Sequence, residues 1–170
     1  KSTFLRCLDL LDRPTSGSVL FHGEDITGRK VNIDRHRRKM GMVFQHFNLF
    51  PHMTVLENLT CAPLMLHKMT REQAEAKAME LLEFMGLADV ADSKAGSLPY
   101  GVQRRLEIAR ALATNPSILL LDEPAAGMNP SETAELMENI RRIRDEFQIA
   151  VMLIEHDMKF ARKLHDKSHD

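Results

Sequence analysis

A disulfide framework, a membrane span and a dominant charge are all missing from this sequence. Its two cysteines, Cys7 and Cys61, give neither a disulfide framework nor a metal-ligand spacing, which fits a reducing compartment. No apolar run approaches the roughly 18 residues that mark a membrane span, and no signal peptide is visible. Any link to a membrane therefore goes through a partner. Lysine and arginine total 23 against 24 acids, and the resulting net charge of −1 argues against general electrostatic binding to nucleic acid. Internal repeats and low-complexity stretches are lacking too. So is an initiator methionine, and the chain reads as cut in mid-structure. What remains is a globular composition, 44% hydrophobic and 28% charged over 170 residues, enough for one domain with a sizeable core and room for a small lobe.

The stretch Leu119–Pro130 organises the rest. Ile118 to Leu121 has no polar alternation, as expected of a strand buried on both faces of a parallel sheet. It ends in Asp122 and Glu123, at the edge where open α/β sheets bind ligands. Upstream, Ser2 to Leu11 reads as a short helix, Ser18 to Phe21 as a strand and His22 to Asp25 as a turn. Arg35 to Lys39 reads as a solvated basic run, Gly41 to Phe44 as a compact strand and Gln45 to Pro51 as a loop. A helical pattern after Thr54 should break at Pro63. Thr70 with Gln73 fits a capping box for a helix whose apolar face is Ala74, Ala78, Leu81, Leu82 and Met85, with Gly86 as its stop.

The next helix has Val102, Leu106, Ala109 and Ala113 as its buried stripe. Arg104, Arg105 and Arg110 lie off it, the first two on a solvated face. Asn129, Pro130 and Glu132 occupy the N-cap, N1 and N3 places of another helix, with Leu136, Ile140, Ile143 and Phe147 as its stripe. Ile149 to Ile154 is a second all-apolar strand with His156 just beyond it, and Met158 to Leu164 a last helical pattern. The methionines read as core filler. This order predicts an α/β fold, a parallel sheet with right-handed crossovers. The expected division is a nucleotide-core segment over 1–45, an inserted helical lobe over 46–97, and the remainder of the core over 98–170.

Lys1-Ser2-Thr3 at a helix start is the tail of a phosphate-binding loop pattern, in which the lysine reaches phosphates and the next hydroxyl binds magnesium. Together with Gln45 after one strand, Gly101 at a helix start, Asp122-Glu123-Pro124 after a second strand and His156 after a third, the order resembles the ATPase subunit of an ATP-binding cassette (ABC) transporter, a P-loop NTPase, over nearly the whole chain. The resemblance implies ATP and Mg2+ as cofactors. It implies phosphate and metal contact for Lys1 and Ser2, with Thr3 beside the phosphates. It makes Asp122 the magnesium-holding aspartate, Glu123 the catalytic glutamate, Gln45 the glutamine that senses metal and attacking water, and His156 the switch histidine. Leu98 to Gln103 matches the signature region, through which Gly101 and Gln103 would reach the nucleotide of a second, head-to-tail subunit. Asn129 stands where an interface aspartate is usual, and a helix N-cap competes with that role.

The signature departs from Leu-Ser-Gly-Gly-Gln at Pro99, Tyr100 and Val102. Its Leu-Pro-Tyr-Gly-x-Gln-Arg-Arg-Leu-Glu run, like Asp-Glu-Pro-Ala-Ala-Gly-Met-Asn-Pro, resembles branched-chain amino-acid import ATPases. Gly41 to Gln45 and Phe47 to Asn58 resemble polar amino-acid import ATPases instead, with the change near Ser97. Both halves imply an importer ATPase for amino acids, with branched-chain substrates expected and polar ones the alternative. The implied setting is the cytoplasmic face of the cell membrane, as a peripheral subunit beside permease subunits and, indirectly, a periplasmic or extracellular binding protein, with no nucleic acid. Two other readings stand beside it. One is a soluble cassette ATPase acting on nucleic acid or translation, supported only by the basic run. The other is a non-catalytic fragment, because most of the phosphate loop is absent from these residues; hydrolysis is expected of the complete subunit and not of this piece alone.

Overall fold

Aliphatic strands without polar alternation suit a place between two covering layers, and the central strand of the sheet is built that way, whereas no residue of the outer all-apolar strand, Ala150–Ile154, is fully buried. The computed structural model describes residues 2–28, 30–66 and 69–155. Strands β3 (Met40–Val43), β4 (Ile118–Asp122) and β5 (Ala150–Ile154) form a parallel sheet in the order β3-β4-β5. Met40 pairs with Ile118, and Asp122 with Ile154. In central β4, Leu119 to Asp122 are all buried. Gly41 is required where α5 crosses β3, since a Cβ there would lie 3.0 Å from Leu119 Cδ1 and 3.2 Å from the Ala111 carbonyl.

Helices α1 (Ser2–Leu8), α2 (Ile33–Arg37), α3 (Val55–Met65), α4 (Arg71–Phe84), α5 (Tyr100–Leu112) and α6 (Pro130–Phe147) are joined by two 3-10 turns, Ala88–Val90 and Ala95–Ser97. One apolar cluster runs from Leu59 and Leu82 through Leu106 and Leu119 to Ile140, so the helices following Gln45 share a core with the sheet. The stripes expected on α4 and α6 are the buried ones, apart from a half-buried Phe147 that meets Phe84 edge-on at 5.3 Å. Thr70 with Gln73 and Asn129 with Glu132 both close capping boxes. Thr54 with Glu57 closes a third, which the same S/T-x-x-E spacing encodes.

Four local expectations are corrected. Helix α3 does not break at Pro63 but runs through it to Met65. Proline there supplies no N–H to the Leu59 carbonyl one turn back, a loss set against the burial of its ring. The first strand shrinks to β1 (Leu20–Phe21), pairing antiparallel with β2 (Glu24–Asp25) across a His22-Gly23 turn. Both turn residues have positive φ, 51° and 80°, as a tight hairpin requires. The basic run is only partly solvated. His36 is buried, and Arg37 donates to the Asp9 and Leu10 carbonyls at 3.0 and 2.8 Å, closing the chain beyond α1. Methionine is not uniformly core filler, since Met65 is 77% exposed whereas Met85 and Met137 are buried. The pattern over Met158 to Leu164 lies outside the described residues.

The caps are separable from the core. Asn129→Ala should lower unfolding free energy in a urea titration by about 1 kcal/mol, and Asn129→Gly by only a few tenths. Equal losses would mean that the side-chain bond to the Glu132 amide is not what holds the head of α6.

Candidate functional site at the sheet edge

Strand β4 delivers two adjacent acids to its C-terminal edge, and a backbone reversal separates them. Asp122 is the last strand residue and is 4% exposed. Glu123 adopts φ 47° while its amide still donates to the Ile154 carbonyl at 2.9 Å. A non-glycine residue in the left-handed region costs energy and is characteristic of sites where a side chain must be aimed. The turn gives the two carboxylates different neighbours. Asp122 accepts a hydrogen bond from the Ser2 hydroxyl at 2.9 Å. Glu123 accepts one from the Gln45 carboxamide at 3.3 Å. Four residues singled out in the sequence, Ser2, Gln45, Asp122 and Glu123, thus meet at one edge. An open cleft beside them is lined by Ser2, Arg6, Gln45, His46, Asn48 and Asp122.

The remaining candidates do not join this group. Thr3 is exposed on the first turn of α1. Gly101, Gln103 and Asn129 gather at the heads of α5 and α6 instead. Gln103 donates to the Leu98 carbonyl at 2.7 Å. Asn129 accepts from the Glu132 amide at 2.9 Å. Gly101 faces the Glu132 carboxylate so closely that a Cβ would lie 3.1 Å from its oxygen. Lys1 and His156 lie outside the described residues.

The largest correction concerns Arg104. Its side chain is fully buried, not solvated, and pairs with Glu107 at 2.7 Å. It also donates to the Phe44 and Gln45 carbonyls, each at 2.7 Å, and covers the Phe47 ring at 4.7 Å. Glu107 in turn accepts the Asn48 amide at 3.0 Å. Burial pushes the Glu107 carboxyl up from its usual range, opposed by the Asn48 amide and by Arg104. Burial likewise pulls Arg110 down, opposed chiefly by Glu107. Arg105 is half-buried and bonds Glu135 at 2.7 Å.

Three more residues act as supports, a role the sequence did not assign to them. Glu155 accepts the Ala125 amide at 3.0 Å and pins the loop after Glu123. The Tyr100 hydroxyl donates to the Ala126 carbonyl at 2.7 Å, with its ring against Phe47. Glu107 itself carried a usable signal, a charge set between Leu106 and Ile108.

A parallel sheet with a hydroxyl-bearing helix start, a buried aspartate and an aimed glutamate at its C-terminal edge defines a P-loop NTPase-like core. Residues 1–126 match the ABC transporter family, and the chain belongs to it. It is 40% identical over 96% of its length to the general L-amino acid transport ATP-binding protein AapP of Rhizobium johnstonii, of which it spans 63%. It is also 40% identical over 98% of its length to the arginine transport ATP-binding protein ArtM of Bacillus subtilis, spanning 69% of that relative. Among solved structures it is similar to the dimeric post-hydrolysis cassette MJ0796 bound to ADP and Pi. The TM-score there is 0.83 at 33% identity, covering 95% of this chain and 72% of that one. It is also similar to cbiO1 from Clostridium perfringens, part of the transporter complex cbiONQ. That TM-score is 0.86 at 26% identity, over 96% of this chain and 65% of that one.

Adjacent arginines should behave oppositely on removal. Arg104→Ala, which strands a buried carboxylate, should cost about 3–5 kcal/mol in chemical unfolding. Arg105→Ala should cost under about 1 kcal/mol, because its partner Glu135 is largely exposed. Comparable losses would contradict the buried placement of Arg104.

Proposed function

We propose that this chain is the ATP-binding and hydrolysing subunit of an amino-acid importer. The observation that carries this reading is the convergence of Ser2 on Asp122 and of Gln45 on Glu123 at a single sheet edge. Glu123 is the general base that polarises the attacking water. Gln45 orients that carboxylate and the water beside it, and Lys1, Ser2 and Thr3 meet the phosphates. His156, next but one after β5 in the sequence, takes the switch-histidine role that the family resemblance implies.

Mg2+ fits the donors present. A hydroxyl and a buried carboxylate 2.9 Å apart are hard oxygen ligands. No cluster of three or more metal-ligating acids, histidines or cysteines exists among the described residues. This suits a cation that completes its shell with water and substrate phosphate. Ser2 and Asp122 would hold it, with Gln45 close by, and it would neutralise charge on the phosphate oxygens.

The working unit is a head-to-tail pair of subunits in which the heads of α5 and α6 face the partner's nucleotide. Gly101, Gln103 and Asn129 belong to that face. The segment 46–97 acts as the helical lobe that meets a permease, and a solute-binding protein is a more distant partner. The subunit sits peripherally on the cytoplasmic face of the membrane. Among the described residues no helix is long and apolar enough to cross one. The nucleic-acid reading loses support, because His36 is buried and Arg37 is committed to the carbonyls beyond α1.

The substrate class is amino acids. The relatives, which include general L-amino-acid, arginine and methionine transport proteins, favour polar or mixed amino acids. The branched-chain alternative rests on the run Leu98 to Leu112 and on Asp122 to Pro130.

Glu123→Gln in the whole protein should lower ATP turnover by about 10²–10⁴-fold while MgATP binding persists. Asp122→Asn should weaken binding in magnesium more than in EDTA. Turnover like wild type in Glu123→Gln would remove the assigned base. Uptake of labelled arginine and glutamine, but not leucine, lost on gene deletion would fix the polar class.

A further inference from the structure

Gln45 follows strand β3, but its backbone is gripped from a different element. Arg104 of α5 donates from Nη1 to the Phe44 carbonyl and from Nη2 to the Gln45 carbonyl, both at 2.7 Å. Glu107, one turn further along α5, accepts the Asn48 amide at 3.0 Å. Between these two grips, the Phe47 ring stacks 4.7 Å from the guanidinium. The far end of the loop is tied separately. Asn58, fully buried on α3, accepts the Phe50 amide at 2.9 Å and donates to the Phe50 carbonyl at 3.1 Å. The loop backbone is thus held at both ends by buried polar side chains, while the Gln45 side chain stays exposed and reaches Glu123 at 3.3 Å.

Stability alone does not account for this choice of residue. Arg104 is 0% exposed, and its Nε is a buried side-chain nitrogen with no hydrogen-bond partner among the described residues. A buried ion pair is commonly no better for stability than apolar side chains of the same volume, and an orphaned buried N–H is a further cost. What an apolar pair cannot do is reach two successive carbonyls with a rigid planar fork. Those carbonyls belong to Gln45 and to the residue before it.

We propose that Arg104, held by Glu107, is a positioning residue for Gln45, fixing its carboxamide on the Glu123 carboxylate and making it move with helix α5 rather than with strand β3. The proposal rests on reading the site as an ATP-hydrolysing centre. A misplacement of about 1 Å at such a centre can cost about a hundredfold in rate. The guanidinium bonds Glu107 and the Phe44 and Gln45 carbonyls, so its effect on the site passes through the Gln45 backbone.

The test uses the whole protein with Arg104→Met and Glu107→Gln combined. This pair leaves no buried charge and keeps an acceptor for the Asn48 amide. The paired variant should fold and bind MgATP with KM within about twofold of wild type, while kcat falls between about tenfold and a hundredfold. Gln45→Ala added to that pair should lower kcat little further, because both changes remove one interaction. Amide exchange over residues 44–48 should speed up in the paired variant while Met40–Val43 stays protected.

Wild-type kcat in the paired variant, losses that multiply with Gln45→Ala, or a defect confined to KM would each overturn the proposal. Equal loosening of β3 would overturn it too, by making Arg104 a general structural residue. A wild-type protein that binds but never hydrolyses ATP would instead defeat the functional reading. The exchange experiment would then still decide whether Arg104 holds the Gln45 backbone.

Discussion

A guanidinium removed entirely from water is the constraint on which the site depends. Arg104 can be buried only if its charge and donors are met, and Glu107, two carbonyls and an aromatic face meet most of them. Each of those groups is thereby located relative to α5. Since α5 also packs on β3 closely enough to require Gly41, the helix, the strand and the loop leaving it form one mechanical unit. Within that unit the Gln45 side chain is exposed, and its carboxamide donates to Glu123.

The sheet solves a second problem, that of giving neighbouring carboxylates different work. In continuing strand geometry Asp122 and Glu123 would simply alternate faces. The left-handed turn at Glu123 breaks that alternation after the last paired residue. Asp122 stays buried beside the Ser2 hydroxyl, where a hard cation fits, and Glu123 swings toward the carboxamide of Gln45. Glu155 and Tyr100 then hold the chain that follows, through the Ala125 amide and the Ala126 carbonyl.

Much of this was readable in the sequence because the signals were local. Uninterrupted aliphatic residues announced β4 and β5, and the spacing of Asn129, Pro130 and Glu132 announced the head of α6. The resemblance placed Ser2, Gln45, Asp122 and Glu123, and the structure brings those four together. Arg104 was misread because a charged residue beside other charges on a helix defaults to solvent. Its burial is made by residues 44–48, some sixty positions away in the chain. Arg37 was misread for a similar reason, since the carbonyls it meets are exposed only by the way the chain leaves α1. Pro63 misled in the other direction: it forfeits the bond its N–H would make to the preceding turn, yet α3 runs through it with the ring buried.

The distances along the chain have a kinetic consequence. Gln45 and Glu123 meet across 78 residues, and Ser2 and Asp122 across 120. Contacts that close such loops are rewarded late in folding, after local order has formed. The helices between them carry their own start signals in the boxes at Thr54 and Thr70 and can be sampled as the chain emerges. The sheet edge that gathers Ser2, Gln45, Asp122 and Glu123 cannot, because half of every pair is still unmade. A partly synthesised chain therefore acquires its helical surface before that edge closes.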